Sequence, residues 1–330
     1  MKPTCRRFLR NFLVVGALFA PTAWIVCKQD FQTVSSIGAW TFASCLLLTV
    51  LTFVCSGIQY YRTLTRLGCR MHMADIALYP LMNAFWGMIV PLQGSVLFGV
   101  LYLRLKYRFK MASSAVMFAF LYLVNFLFAG FAWLFYALAS SSSSRMVLLV
   151  AALMLGMPFY LLVFRILLRH YGRLPLVPVR LQDGLCECLD SLHGLLSNMR
   201  ELAILVALQF LRQLLMAMMY FSVGKACGFK VSFLWGYLVA VSQDLALVFK
   251  FTPGNIGLAE MVSGLVSGIT GVSPIDGATV SLICTVVSVC LCISVGFAAS
   301  WLFLHSVNLD FAGTFRSIRP GGGGRTCCPN

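Results

Sequence analysis

The chain has 330 residues, of which 60% are hydrophobic and 11% charged, with a mean hydropathy of +0.89. That much apolar surface needs a bilayer to receive it, which excludes a soluble globular domain and leaves a polytopic membrane protein. The net charge of +15 comes from lysines and arginines scattered through short loops, the pattern that orients membrane helices rather than one that binds nucleic acid.

The first residues, Met1–Val26, join a basic start to an apolar run. A signal peptide has this outline, but an uncleaved first span at Phe12–Val26 completes a topology that is otherwise consistent. Further runs long enough to span, about 17–25 residues, lie at Ile37–Tyr60, Ala112–Leu138, Met146–Leu168, Glu201–Ser222 and Gly277–Leu304. Two other apolar regions are interrupted. Asp75–Leu103 breaks at Pro91-Leu92-Gln93-Gly94, and Phe233–Ile269 breaks at Pro253-Gly254-Asn255. The longest polar stretch, Arg169–Arg200, is too short for a core of its own.

Charge separates a kinked span from a hairpin. Arg62, Arg66 and Arg70 precede the first broken region, and Arg104, Lys106, Arg108 and Lys110 follow it. Both flanks are basic, so both belong on the cytoplasmic side, as a re-entrant hairpin requires. With the second broken region treated alike, only Lys28, Arg145, Lys225 and Lys230 of the 25 lysines and arginines fall outside, while Arg212 and Lys250 stay at membrane depth. The expected fold is an all-α polytopic membrane protein of six spanning helices plus two re-entrant broken hairpins, with both termini in the cytoplasm. Residues 1–140 and 141–310 form two repeats, and 311–330 a flexible cytoplasmic tail. Pro91 and Pro253 stand 162 residues apart, and Ala84 meets Ala246 at the same offset. Each half carries an odd number of crossings, so the repeats are expected to be inverted, a recurring transporter design.

Proline and glycine free backbone groups that lipid cannot satisfy, so the Pro253 turn belongs inside the bundle or on a wet cavity. A half-helix starting near Asn255 presents its positive end there, and Lys250 adds a full charge, an arrangement suited to a phosphate or carboxylate. Asp244, Glu260 and Arg212 complete a cluster of ionisable groups at membrane depth, where such groups are paired or functional. The structural alternative is an internal ion pair, Lys250 with Asp244 or Arg212 with Glu260. A desolvated Glu260 would be suited to carrying a proton. At the first break Gln93 and Gly94 supply a polar group and a close approach, with Asn83 and Ser95 nearby. The 13 cysteines show neither zinc-ligand spacing nor a disulfide framework. No cofactor or metal is expected, and no phosphate-binding loop for ATP is present.

The run TPGNIGLAE, with the following apolar helix, the turn Gly271–Pro274 and Gly277-Ala278, resembles the flippase-like membrane family typified by the transmembrane part of lysylphosphatidylglycerol synthase. That family's pattern is Pro-Gly-Gly-x-Gly with a near glutamate. Pro253, Gly254, Gly257 and Glu260 fit it, and Asn255 replaces the second glycine. The run NAFWGMIVPLQGS, ending at Ser95, is similar to the family's other Pro-x-x-Gly segment. The resemblance implies a translocator of lipids or lipid-linked glycans in the cytoplasmic membrane. Its site residues would be Lys250, Pro253, Gly254, Asn255, Gly257, Glu260, Asp244, Arg212, Gln93 and Gly94. The expected partners are membrane lipids with an anionic or polyprenyl-linked headgroup and a lipid- or glycan-synthesising enzyme, with no nucleic acid. The competing readings are a small-solute secondary transporter, a membrane-embedded glycosyl or acyl transferase, and the non-catalytic partner of one.

Overall fold

The computed structural model describes residues 38–90, 94–140, 197–246 and 255–306, with isolated positions between 151 and 195. Every regular element there is helical: α1 (Ala39–Arg66), α2 (Met73–Ile89), α3 (Gly94–Tyr107), α4 (Met111–Ala139), α5 (Met199–Ala226), α6 (Phe233–Ala246), α7 (Leu258–Ile269) and α8 (Pro274–Leu291). A π-turn at Cys292–Gly296 carries α8 into α9 (Phe297–Ser306). Among the described residues, α1, α4, α5 and the run from Pro274 to Phe303 are long and apolar enough to cross a membrane. The expected span at 12–26 and the tail at 311–330 lie outside the described residues, as does all of the 146–168 span except positions 151, 152 and 156, which are helical.

Spanning helices overrun their hydrocarbon segments. α1 and α5 have 28 residues each, about 42 Å at 1.5 Å per residue, against a hydrocarbon core of ~30 Å. α1 therefore continues past Tyr60 to Arg66, placing Arg62 and Arg66 where they meet Glu201 at the start of α5 (3.4 and 3.0 Å). α5 also begins earlier than its apolar run, because Asn198 caps it by accepting a hydrogen bond from the Glu201 amide at 3.2 Å.

Both interrupted regions fold back on themselves. α2 and α3 run antiparallel: Trp86 stacks on Phe98 with ring centres 5.0 Å apart, Tyr79 lies 5.3 Å from Tyr102, and Lys106 Nζ reaches Asp75 at 2.8 Å. In the second region, Trp235 Nε1 donates to Ser267 Oγ at 2.9 Å and Gln243 Nε2 to Ser263 Oγ at 2.7 Å, which sets α6 antiparallel to α7. α1 and α5 are antiparallel as well, joined by Gln59 and Gln209 (3.0 Å) and by Thr49 and Met219 (3.3 Å). One end of the bundle consequently gathers Arg62, Arg66, Glu201, Asp75 and Lys106, and the α2–α3 hairpin opens towards it. Lys225 and Lys230 lie at the other end, where α6 begins after the turn that closes α5.

The local geometry of the first half recurs in the second. α1 ends in a turn with Gly68 at φ +87°, where Gly68 N–H donates to Thr65 O (3.1 Å) and Cys69 N–H to Leu64 O (2.8 Å). α5 ends 160 residues later with the same bonds, Gly228 (φ +78°) to Lys225 O and Phe229 to Gly224 O, both at 3.0 Å. This is a glycine-terminated helix end, in which only the left-handed residue lets the chain turn back so sharply. Past the breaks the offset becomes 163: Arg108 (φ +53°) closes α3 and Gly271 (φ +78°) closes α7. These separations, 160 and 163, bracket the 162 residues between Pro91 and Pro253.

The helix crossings recur too, with the small residue exchanged. A Cβ on Gly57 of α1 would lie 1.9 Å from the Ile76 carbonyl oxygen of α2. Pro80 cannot donate the helical bond that this carbonyl would otherwise accept, so the oxygen is free to lie against Gly57. At the matching crossing, 160 residues on, the glycine is on the hairpin instead: a Cβ on Gly236 would lie 2.7 Å from the Ala217 carbonyl oxygen. Small residues that let backbones approach are the common means of packing helices in lipid.

Candidate functional site

Arg212 and Asp244 meet at the centre of the bundle. The Arg212 guanidinium donates to Asp244 Oδ2, which also accepts from Gln213 Nε2. Arg212 Nε donates to Gln209 Oε1 at 3.2 Å, and Gln209 in turn bonds Gln59 and Asn125. Asp244 is 1% exposed, and a carboxylate so buried needs a cation and hydrogen bonds together. The pairing differs from both anticipated from the sequence: Asp244 takes Arg212, whereas Glu260 binds its own helix end.

That helix end is a constructed turn. Asn255 has φ +59° and Gly257 φ +91°, and α7 begins at Leu258, slightly later than expected. The position where the family pattern has its second glycine is held in the left-handed region. Asparagine is the residue best able to replace glycine there. Glu260 Oε2 accepts from the Gly257 amide at 2.6 Å, so the glutamate caps the half-helix from its first turn. Its other oxygen, Oε1, is buried and makes no hydrogen bond of acceptable geometry, with Thr285 the side chain bearing on the carboxylate.

Two cavities flank the Arg212–Asp244 pair and include it in both walls. The larger, about 240 Å³, is bounded by Asn255 and Ala259 at the second break and by Cys284, Thr285 and Ser288 of α8. The smaller, about 170 Å³, is bounded by Asn83 and Ser95 at the first break and by Leu121, Tyr122 and Asn125 of α4. The α4 positions precede the α8 positions by 163 residues, and Asn83 precedes Gln243, which lines the larger cavity, by 160. The walls of the two chambers thus contain residues at recurring separations of 160 and 163.

Orphaned polar atoms mark the larger chamber. Asn255 is 2% exposed, yet neither its Oδ1 nor its Nδ2 has a hydrogen-bond partner. Asp244 Oδ1, on the same wall, is unpartnered as well. Buried polar groups are ordinarily satisfied, so water or a ligand must meet these. Gln209 and Gln213 are noticeable in the sequence beside Arg212 on one helix; Asn125 and Gln59 were missed, because they lie on other helices and carry no signal until the helices are packed.

Of the anticipated site residues, the structure brings together Arg212, Asp244 and Asn255 on one cavity, with Gly257 and Glu260 at the helix end beside Asn255. Gly94 opens α3 against Val90 and Trp86, apart from Asn255 and Glu260. Lys250, Pro253, Gly254 and Gln93 lie outside the described residues. Among the described residues no group of three or more His, Cys, Asp or Glu is arranged to hold a metal ion.

Residues 12–296 match the family model described as the lysylphosphatidylglycerol synthase TM region. The chain belongs to that family. Membership of the lysylphosphatidylglycerol synthase TM region family accords with the apolar helices, and the chain is a multi-pass, membrane-embedded protein of this lipid-related class. The likeness drawn from TPGNIGLAE is therefore borne out over most of the chain. No curated protein and no solved structure gives a significant match.

Proposed function

We propose that the protein translocates a lipid or lipid-linked glycan across the cytoplasmic membrane, binding the headgroup's anion at the break before α7. The observation that carries this reading is Asn255, buried with both amide atoms unpartnered on a cavity shared with Arg212. The amides at the start of α7 add a positive end, although Glu260 already occupies the Gly257 amide. An arriving phosphate would compete with Asp244 for Arg212, and Lys250, three residues before Pro253, would supply a second cation. The acyl or polyprenyl tail would remain in lipid, since a chamber of about 240 Å³ has room for a headgroup and not for a lipid.

In this reading the two halves, residues 1–140 and 141–310, are inverted repeats. The antiparallel pairing of α1 with α5, the recurring glycine-terminated helix ends and the matching walls of the two cavities support it. The hairpins are then re-entrant from opposite sides, and the basic end with Arg62, Arg66 and Lys106 faces the cytoplasm. Alternating access would open one chamber and then the other about the Arg212–Asp244 pair. A lipid- or glycan-synthesising enzyme is the partner that would supply or consume such a substrate.

Native mass spectrometry of the gently purified chain, wild type beside Lys250→Ala, tests the reading. One anionic or polyprenyl-linked lipid should co-purify with wild type and be lost from the variant. Bulk lipid alone, unchanged by the substitution, would count against a headgroup site at this break.

A further inference from the structure

Among the described residues, Arg212 is the one cation on either cavity wall, and Asp244 holds it. The Arg212 guanidinium and Gln213 Nε2 both donate to Asp244 Oδ2. An anion that draws Arg212 to itself therefore removes the counter-charge of a carboxylate that is almost completely buried. A charge at such depth does not persist alone; it is paired or neutralised. The ionisable groups around the pair are Cys55 and Tyr60 of α1, Tyr122 of α4, Tyr220 of α5, Glu260 of α7 and Cys284 of α8. Thiols, phenols and carboxyls never become cations, so none of these can replace Arg212 beside Asp244.

Two orphaned oxygens show what can. Asp244 Oδ1 and Gln213 Oε1 are both buried acceptors without a partner, and they belong to side chains already joined through their other atoms, Oδ2 and Nε2. A carboxylate oxygen and an amide oxygen only accept, so neither satisfies the other while Asp244 is charged. One proton on Oδ1 changes this. The acid then donates through Oδ1 and accepts through Oδ2, while the amide accepts through Oε1 and donates through Nε2, the two-bond pairing of an acid with a primary amide. Gln213 is completely buried and lies on neither cavity wall, so a headgroup amine in either chamber does not reach its oxygen. Asp244 is on both walls, where a proton can arrive from water in one chamber and leave to water in the other.

We propose that Asp244 binds a proton each time a headgroup anion draws Arg212 away, so that anion and proton cross the membrane together. The proton passes from water in one chamber to Asp244 Oδ1, is shared with Gln213 Oε1, and returns to water in the other chamber when Arg212 closes on the carboxylate again. This rests on the headgroup reading given above and adds its energy source, a pH difference across the membrane. Because binding the anion takes up a proton, affinity for the anion is greatest at low pH and falls as pH rises.

Titration calorimetry of the full chain in detergent with ether-linked phosphatidylglycerol tests this. That lipid is a phosphodiester, whose single charge does not titrate near neutral pH as a phosphate monoester does. Its Kd should rise by up to about tenfold per pH unit, the slope of one proton, and two buffers of different ionisation heat should report about one proton taken up per lipid bound. The infrared difference spectrum on binding should show a new carboxylic-acid C=O band, to which an ether lipid adds no ester carbonyl. Asp244→Asn should hold the lipid with a flat pH profile, no proton uptake and no such band. Asp276→Asn, in the first turn of α8, should keep all three. The proton count and the band are read on wild type, so they stand however well Asp244→Asn folds. Binding that takes up no proton and is lost in Lys250→Ala overturns the proton's role and leaves the anion site standing. Proton uptake or a band that persists in Asp244→Asn places the proton on another group and overturns the role of Asp244. Ether-linked phosphatidylethanolamine held more tightly than phosphatidylglycerol, with no proton taken up, would show the lipid's own ammonium compensating Asp244 and overturn it as well. A wild type that holds neither lipid at any pH overturns both readings.

Discussion

The Arg212 guanidinium and the Asp244 carboxylate form an ion pair that is part of the wall of both central cavities, one from α5 and the other from α6. The two side chains are 12% and 1% exposed. Removing one partner leaves a buried charge uncompensated, a loss of ~3–5 kcal/mol in such settings. Arg212→Ala should therefore lower the thermal unfolding midpoint sharply, and Arg212→Ala with Asp244→Ala should recover most of the loss. A single variant as stable as wild type would mean that the pair contributes little. Translocation should be lost in the double variant even where stability returns, since no cation would remain between the chambers.

The close crossing of α1 and α2 makes Gly57 intolerant of any side chain. An added Cβ would sit 1.9 Å from the Ile76 oxygen, against 2.7 Å from Ala217 for Gly236. Overpacking of this kind costs about 1–3 kcal/mol, occasionally more. Gly57→Ala should destabilise more than Gly236→Ala, measured by thermal unfolding in one detergent. The opposite ranking would show that α2 yields more easily than α5.

Asn255 separates backbone from side-chain roles. Its φ of +59° is strained for alanine, by roughly 1–2 kcal/mol, and not for glycine. Asn255→Gly should keep the fold and lose lipid retention several-fold. Asn255→Ala should lose both. Retention equal to wild type in the glycine variant would remove the side chain from the site.

Glu260 is first a helix cap. Glutamine can accept from the Gly257 amide as glutamate does, so Glu260→Gln should unfold within a few degrees of wild type, whereas Glu260→Ala should lose about 0.5–2 kcal/mol. Translocation measured across a pH series then tests the proton-carrying role. Identical profiles for wild type and Glu260→Gln would leave the residue as a cap alone.

Orientation is open to labelling. In a background without the native loop cysteines, a cysteine at Lys230 should react with a membrane-impermeant maleimide in intact cells. One at Lys110 should react only after permeabilisation. Reversed reactivity would turn the whole bundle over.

Hydrophobic runs, prolines and flanking charge were enough to locate the described spans and both interruptions, because a bilayer imposes length and polarity on each segment independently of the others. The family was legible for a similar reason: TPGNIGLAE encodes a local turn, and its left-handed Asn255 is a property of a few adjacent residues. Helix ends were misjudged by a turn or so because hydropathy reports where lipid ends, while capping at Asn198, Gly68 and Gly228 decides where the helix does.

What the sequence alone determined is therefore the one-dimensional part: membrane insertion, the order of helices, the two breaks and the set of ionisable groups at membrane depth. Only the tertiary structure decided how those groups pair. The sequence suggested Lys250 for Asp244 and Arg212 for Glu260, and the antiparallel packing of α5 and α6 instead gave Arg212 to Asp244, leaving Glu260 to its own helix end. The same packing tied Gln243 to Tyr220, Ser263 and Ser281, since a hydrogen bond depends on which side chains neighbouring helices bring within about 3 Å.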